Sequence, residues 1–108
     1  MASSKQFLDF ILEQLKDFDN ITFKPMMGEF LLYFDRILFG GIYDDRFLIK
    51  KTNSNKKYNL IEEIPYQKAK TMYMITNLDD KEYLRNVIKE TCLDLQKKII
   101  KGLNNRPF

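Results

Sequence analysis

Between residues 5 and 18 the apolar side chains fall at Phe7, Leu8, Ile11, Leu12, Leu15 and Phe18, at spacings of one, three and four that put them on one stripe of a helix. Lys5, Asp9, Glu13 and Lys16 fall opposite. The pattern predicts an amphipathic helix running to about Asp17, capped by Ser3 or Ser4, with Gln6 completing a capping box after Ser3. The same period returns at Tyr83, Leu84, Val87, Ile88, Thr91, Leu95 and Ile99. There Asp79 and Glu82 form the capping box, and the helix is expected to end near Lys101 with Gly102 just past it.

Between these helices the period is that of strands. Residues 21–24 alternate until Pro25 stops or bulges the strand. Residues 30–34, 37–43 and 47–51 make three more strands, joined by short turns at Asp35-Arg36 and Asp44-Asp45, and residues 71–76 make a fifth. The polar run 52–57 reads as a flexible loop, and 58–64 has room for a helical turn closed by Pro65. Contiguous strands with tight connections form an antiparallel meander. With helices at the two ends of the chain, the expected class is α+β: about five antiparallel strands packed by the N-terminal and C-terminal helices in two layers. The 108 residues suit one domain, with 103–108 as a short tail.

The strands at 30–34, 37–42 and 47–49 are apolar on both alternating sets of positions, whereas a sheet with one wet face carries polar residues at every second place. Something is expected to cover the second face or an edge. A second copy of the chain is the simplest cover, so a homodimer is expected.

Composition narrows the chemistry. Nine Phe and six Tyr supply a core that needs neither disulfide nor metal. The chain has no histidine and one cysteine, Cys92, which excludes Ser-His-Asp and Cys-His catalysis and a Cys/His zinc site. No cofactor is expected. A lone thiol suits a reducing compartment, the cytoplasm by default. Asp9 and Glu13 break up the N-terminal region, and no uncharged apolar run nears the roughly 18 residues of a membrane span, so neither a secretory signal nor a membrane segment is expected. The net charge of +3 is mild, but Lys50, Lys51, Lys56 and Lys57 surround one loop, and Lys97, Lys98, Lys101 and Arg106 gather near the C-terminus. Either cluster suits phosphates, and either is also what a solvated loop or helix end looks like.

The segments Pro25-Met26-Met27-Gly28-Glu29 and Phe39-Gly40-Gly41-Ile42-Tyr43-Asp44-Asp45-Arg46, with Met1-Ala2-Ser3-Ser4-Lys5, Pro65-Tyr66 and Leu78-Asp79-Asp80, resemble the N-terminal domain of the TfoX/Sxy competence-regulator family. The resemblance spans Met1 to about Leu95. It implies an α+β fold like that of secretion chaperones. It also implies the role of the full-length regulators, which switch on DNA-uptake genes together with a cyclic-AMP-dependent transcription activator. The chain ends where their second domain would begin, so a stand-alone version of the domain is the expectation. The family supplies no agreed catalytic residues to carry over.

Within these segments the residues admit plain and functional readings. Met26 and Met27 are flexible enough for a binding surface or for core filling, and as strand neighbours they cannot both point inward. Gly28 reads foremost as a turn residue. Gly40-Gly41 lacks phosphate-loop spacing and suits a bulge or a crossing of strands. Asp44 and Asp45 beside Arg46 make an acidic turn, Asp45 bonding its own backbone, with cation binding or acid–base chemistry as the alternative. Tyr33, Tyr43 and Tyr73 are expected to stand on the sheet, where Lys24 and Lys50 would favour base stacking, although no RNP-like motif is present. The expected function is a non-enzymatic regulatory or scaffolding module that binds another protein. Nucleic-acid binding through the lysines is the alternative, and an enzyme using Glu29, Asp45 and Lys24 or Lys50 the third reading.

Overall fold

Three two-residue turns build the first part of the sheet. Met27-Gly28, Asp35-Arg36 and Asp44-Asp45 each hold both central residues at positive φ, the backbone sense that matches the twist of hairpin strands. They join β1 (Ile21–Met26), β2 (Glu29–Phe34), β3 (Ile37–Tyr43) and β4 (Arg46–Ile49). The computed structural model describes residues 3–104, with side chains as far as Lys101; Met1, Ala2, Arg106 and the rest of 105–108 lie outside the described residues. After β4 come a 3-10 turn (Ser54–Tyr58), β5 (Ile61–Glu63) and β6 (Met72–Ile75), and the helices α1 (Lys5–Gln14) and α2 (Lys81–Asn104) stand at the two ends. The sheet order is β1-β2-β3-β4-β6-β5, antiparallel throughout. The chain is therefore α+β.

The sheet has six strands rather than about five. The segment expected to hold a helical turn supplies β5, whose Ile61, Glu62 and Glu63 pair with Met74, Tyr73 and Met72. A three-residue edge strand that is two-thirds glutamate shows no period. Pro25 lies inside β1 instead of ending it, which an edge strand tolerates because one row of its N–H groups faces solvent. Helix α1 stops at Gln14, short of Asp17; its last turn carries no basic residue, and Asp17 and Asp19 follow at the negative end of the helix dipole. Ser4 is its cap, accepting from Phe7 N at 3.1 Å, while Ser3 is engaged elsewhere. Asp80 rather than Asp79 caps α2, accepting from Tyr83 N at 3.0 Å. Gly102 lies within α2, which runs on to Asn104.

Leu8, Ile11 and Leu15 from the first helical segment and Leu84, Val87, Ile88 and Cys92 from α2 join Leu32, Ile42, Phe47, Ile49 and Ile75 in one buried cluster. The register puts those five strand residues on one face of the sheet. Both helices therefore cover the same face, in two layers. Among the described residues no helix is long and apolar enough to cross a membrane.

The 52–57 segment is packed, not open. Asn55 is fully buried; its Nδ2 donates to Lys50 O and Thr91 Oγ1, both at 2.9 Å, and its Oδ1 accepts from Thr52 N at 2.9 Å. Ser54 N donates to Asp94 Oδ2 at 2.8 Å, and Ser54 Oγ donates to Glu90 O at 3.1 Å. Side chains that read as loop polarity in sequence instead satisfy backbone groups against α2.

Burial, with the Asp35 charge as a smaller contributor, pushes the Cys92 thiol up from an ordinary 9.0 to about 12. A thiol reagent at pH 8 should label the native protein slowly and the unfolded chain at the rate of a free cysteine. Because the folded thiol stays protonated while the unfolded one ionises, this group's contribution to stability is intact below pH 9 and declines from there toward 12. Cys92→Ala should flatten that part of the pH–stability profile, as read by urea denaturation. A slope identical to wild type would show that Cys92 does not contribute to it.

Candidate functional site

The two segments most conspicuous in the sequence meet at one end of the sheet. Ser3 Oγ donates to Glu29 Oε1 at 2.7 Å and accepts from Asp45 N at 3.0 Å. Glu29 Oε2 accepts from Asp44 N at 2.9 Å, and Asp45 Oδ1 accepts from Ser4 N at 2.7 Å. Ser3 N closes the set by donating to Gly28 O at 3.0 Å. The result is a clasp that ties the start of the chain to two hairpin turns. Glu29 and Asp45 accept from amides and a hydroxyl here, and Asp45 bonds across 41 positions of sequence rather than within its own turn. Among the described residues no group of three or more Cys, Asp or Glu side chains is placed to hold a metal ion.

The other segment residues sort by position. Gly28 has φ 84° and Met27 φ 51°, so the glycine is a turn residue. Met27 is 96% exposed, and Met26 is half-buried. Gly40 and Gly41 face backbone at very short range. A Cβ on Gly40 would sit 2.2 Å from Leu48 O, and one on Gly41 would sit 2.6 Å from Phe30 O and 2.8 Å from Tyr43 Cε2. Beside them the β2–β3 register slips between Leu32 and Tyr33, whose partners are Gly40 and Leu38, so Phe39 is the extra residue of a bulge. Its ring is fully buried in the core.

The register places Lys24, Leu31, Tyr33, Leu38, Gly41, Tyr43, Leu48 and Met74 on the face opposite the helices. Its centre is covered by the chain itself. Gly41, Tyr43 and Leu48 are buried, Pro65 is buried, and the Tyr66 ring lies 6.3 Å from that of Tyr43. Arg46 holds this cover, bonding Tyr43 O at 3.1 Å and Pro65 O at 3.4 Å and pairing with Glu63 at 3.5 Å. Leu31, Tyr33, Leu38, Met72 and Met74 remain half-exposed. Tyr73 lies on the helix side, opposite Ile49, and so does not share a face with Tyr33 and Tyr43.

Lys50 is at the far end of the β3–β4 hairpin from Asp45, about 16 Å away at strand rise. It cannot act with Glu29 and Asp45. It lines instead a cleft of about 900 Å³ with Lys51, Lys70, Lys98, Tyr43 and Tyr66. A second hollow of about 440 Å³ shares Lys51 and Lys98 with it and adds Lys56, Lys97 and Lys101. Lys50, Lys51 and Lys56 of the loop and Lys97, Lys98 and Lys101 of the C-terminal helix, from two clusters in the sequence, thus line one surface, while Lys57 pairs with Glu90 at 2.8 Å. Lys70 is the member that sequence reasoning missed; it belongs to neither charge run, and only the cover segment brings it there.

Compared with models of known protein families and with curated proteins, the chain matches none.

Proposed function

We propose that this chain is a non-catalytic regulatory module that works through protein contacts, in the manner of the competence-regulator N-terminal domain it resembles, and that it pairs with a second copy of itself. The observation that carries the reading is the open part of the second sheet face. The segment through Pro65 and Tyr66 covers the middle of that face, and Leu31, Tyr33 and Leu38 lie beyond the cover, half-exposed on adjacent strands. Lys24, paired across from Leu31, and Glu29, two residues along β2, stand on the same face, so the rim carries both signs of charge. A twofold pairing sets such a rim against itself with opposite charges facing. The clasp supports the non-catalytic part of the reading, since Ser3, Glu29 and Asp45 are hydrogen-bonded to one another and to backbone amides.

Sedimentation velocity across the micromolar range tests the pairing. Wild type should sediment as a dimer, and Leu31→Glu as a monomer with an unchanged far-UV circular dichroism spectrum. A wild-type monomer throughout that range overturns the reading.

A further inference from the structure

We propose that the lysine-lined groove beside the cover segment is a binding site for single-stranded nucleic acid. The inference does not rest on the self-pairing above: Leu38 borders both surfaces, but the lysines of the groove and Tyr66 take no part in the pairing. Its starting point is that chain segments far apart in sequence supply one concave, positively charged surface. Lys50, Lys51, Lys70 and Lys98 line the larger hollow, and Lys56, Lys97 and Lys101 extend the line through the smaller one, with Lys51 and Lys98 common to both.

The charges of this surface are largely uncommitted. Lys51 pairs with Glu62 and donates to Thr71 Oγ1 at 2.8 Å, but among the described residues Lys50, Lys56, Lys70, Lys97, Lys98 and Lys101 make no ion pair. Among the described residues the one carboxylate lining either hollow is Asp94. It is turned onto the Ser54 amide, and that hydrogen bond holds its carboxyl below the usual range. A row of ammonium groups with so little compensation repels itself and is relieved by a chain of phosphates, whose counterions are released on contact.

Shape and aromatic content select a single strand. Tyr66, a residue 59% exposed, lines the larger hollow. The ring is fixed in advance: it packs on Tyr43 at 6.3 Å, its neighbour Pro65 accepts from Arg46, and Tyr66 O accepts from Ala69 N at 3.1 Å. A base released from its stack can lie on such a ring at little ordering cost, while the lysines follow the backbone. A duplex offers no free base to that ring.

The test is a fluorescence-anisotropy titration of the full chain with a labelled oligothymidylate, repeated over a series of salt concentrations. If four phosphates are neutralised, log K should fall against log salt with a slope of about −3. Lys70→Glu and Lys98→Glu should each weaken binding and make the slope shallower. Tyr66→Ala should weaken it about tenfold and leave the slope unchanged. Lys5→Glu, an exposed site on α1, should change neither, and circular dichroism confirms that each variant is folded. The proposal is overturned by absence of binding at low salt, by equal affinity for a duplex of the same length, or by indifference to Lys70, Lys98 and Tyr66. Dimer dissociation by Leu31→Glu leaves this binding intact, so the two readings fail separately.

Discussion

Gly40→Ala should be severely destabilised, losing about 4 kcal/mol, a large share of what a domain of this size possesses. The added methyl would lie 2.2 Å from Leu48 O and 3.0 Å from Ile49 Cα. Both are backbone atoms of the adjacent strand, so no rotamer change relieves the overlap. β3 and β4 would have to move apart where Gly40 pairs with Ile49, and that movement would disturb the packing of Phe39, Phe47 and Ile49, all buried. Gly41→Ala meets Phe30 O at 2.6 Å and the edge of the Tyr43 ring at 2.8 Å; the ring can yield in part, so this variant should be the less damaged. Thermal denaturation followed by circular dichroism ranks the two. A Gly40→Ala midpoint equal to wild type would show that the sheet is not closed against this glycine.

Asn55 should be the costliest polar side chain to remove. Asn55→Ala strips a partner from Thr52 N, Lys50 O and Thr91 Oγ1 at once, and unsatisfied buried groups put the loss at about 3 kcal/mol. Thr91 still donates to Val87 O at 2.8 Å, so part of the network survives. Asn55→Asp should be worse at neutral pH. It keeps the acceptor for Thr52 N but sets a buried carboxylate against the Lys50 carbonyl, with no donor to offer it. Burial raises such a carboxyl's pKa, so the variant should recover stability as pH falls and its carboxyl takes up a proton, the reverse of an ordinary salt-bridged aspartate. Urea denaturation at neutral and acidic pH measures both variants. Equal stability of Asn55→Ala and wild type would mean that the 52–57 segment is not anchored through this side chain.

Much of the architecture is legible in the sequence because it rests on period. The stripes through Leu8, Ile11 and Leu15 and through Leu84, Val87 and Ile88 mark helix faces that are buried, and the runs in β2, β3 and β4 mark strands. What period does not carry was missed. β5 exists through its backbone pairing with β6, which two glutamates disguise. Asn55 reads as loop polarity until α2 closes over it. Gly40 and Gly41 suggested a bulge or a crossing of strands; a bulge occurs beside them at Phe39, and the strands pair rather than cross, so closely that a Cβ on either glycine would meet backbone.

The candidate site was legible in pieces. Glu29, Asp44 and Asp45 stood out, but Ser3, which joins Glu29 to Asp45, reads as a helix cap. The two lysine clusters were visible, but their union depends on how 52–57 packs on α2 and on where the cover segment carries Lys70. The double apolarity of the strands pointed to a cover on the second face or an edge. Part of that cover is the chain's own Pro65 and Tyr66, held by Arg46, and the open remainder around Leu31 is what the pairing proposal rests on.

That remainder can be mapped directly. A dilution series of amide NMR spectra should show concentration-dependent shifts concentrated at Leu31, Tyr33 and Leu38 and their neighbours Lys24 and Glu29, with the helices unaffected. Spectra that do not change with concentration, or shifts confined to the helix layer, would contradict the account.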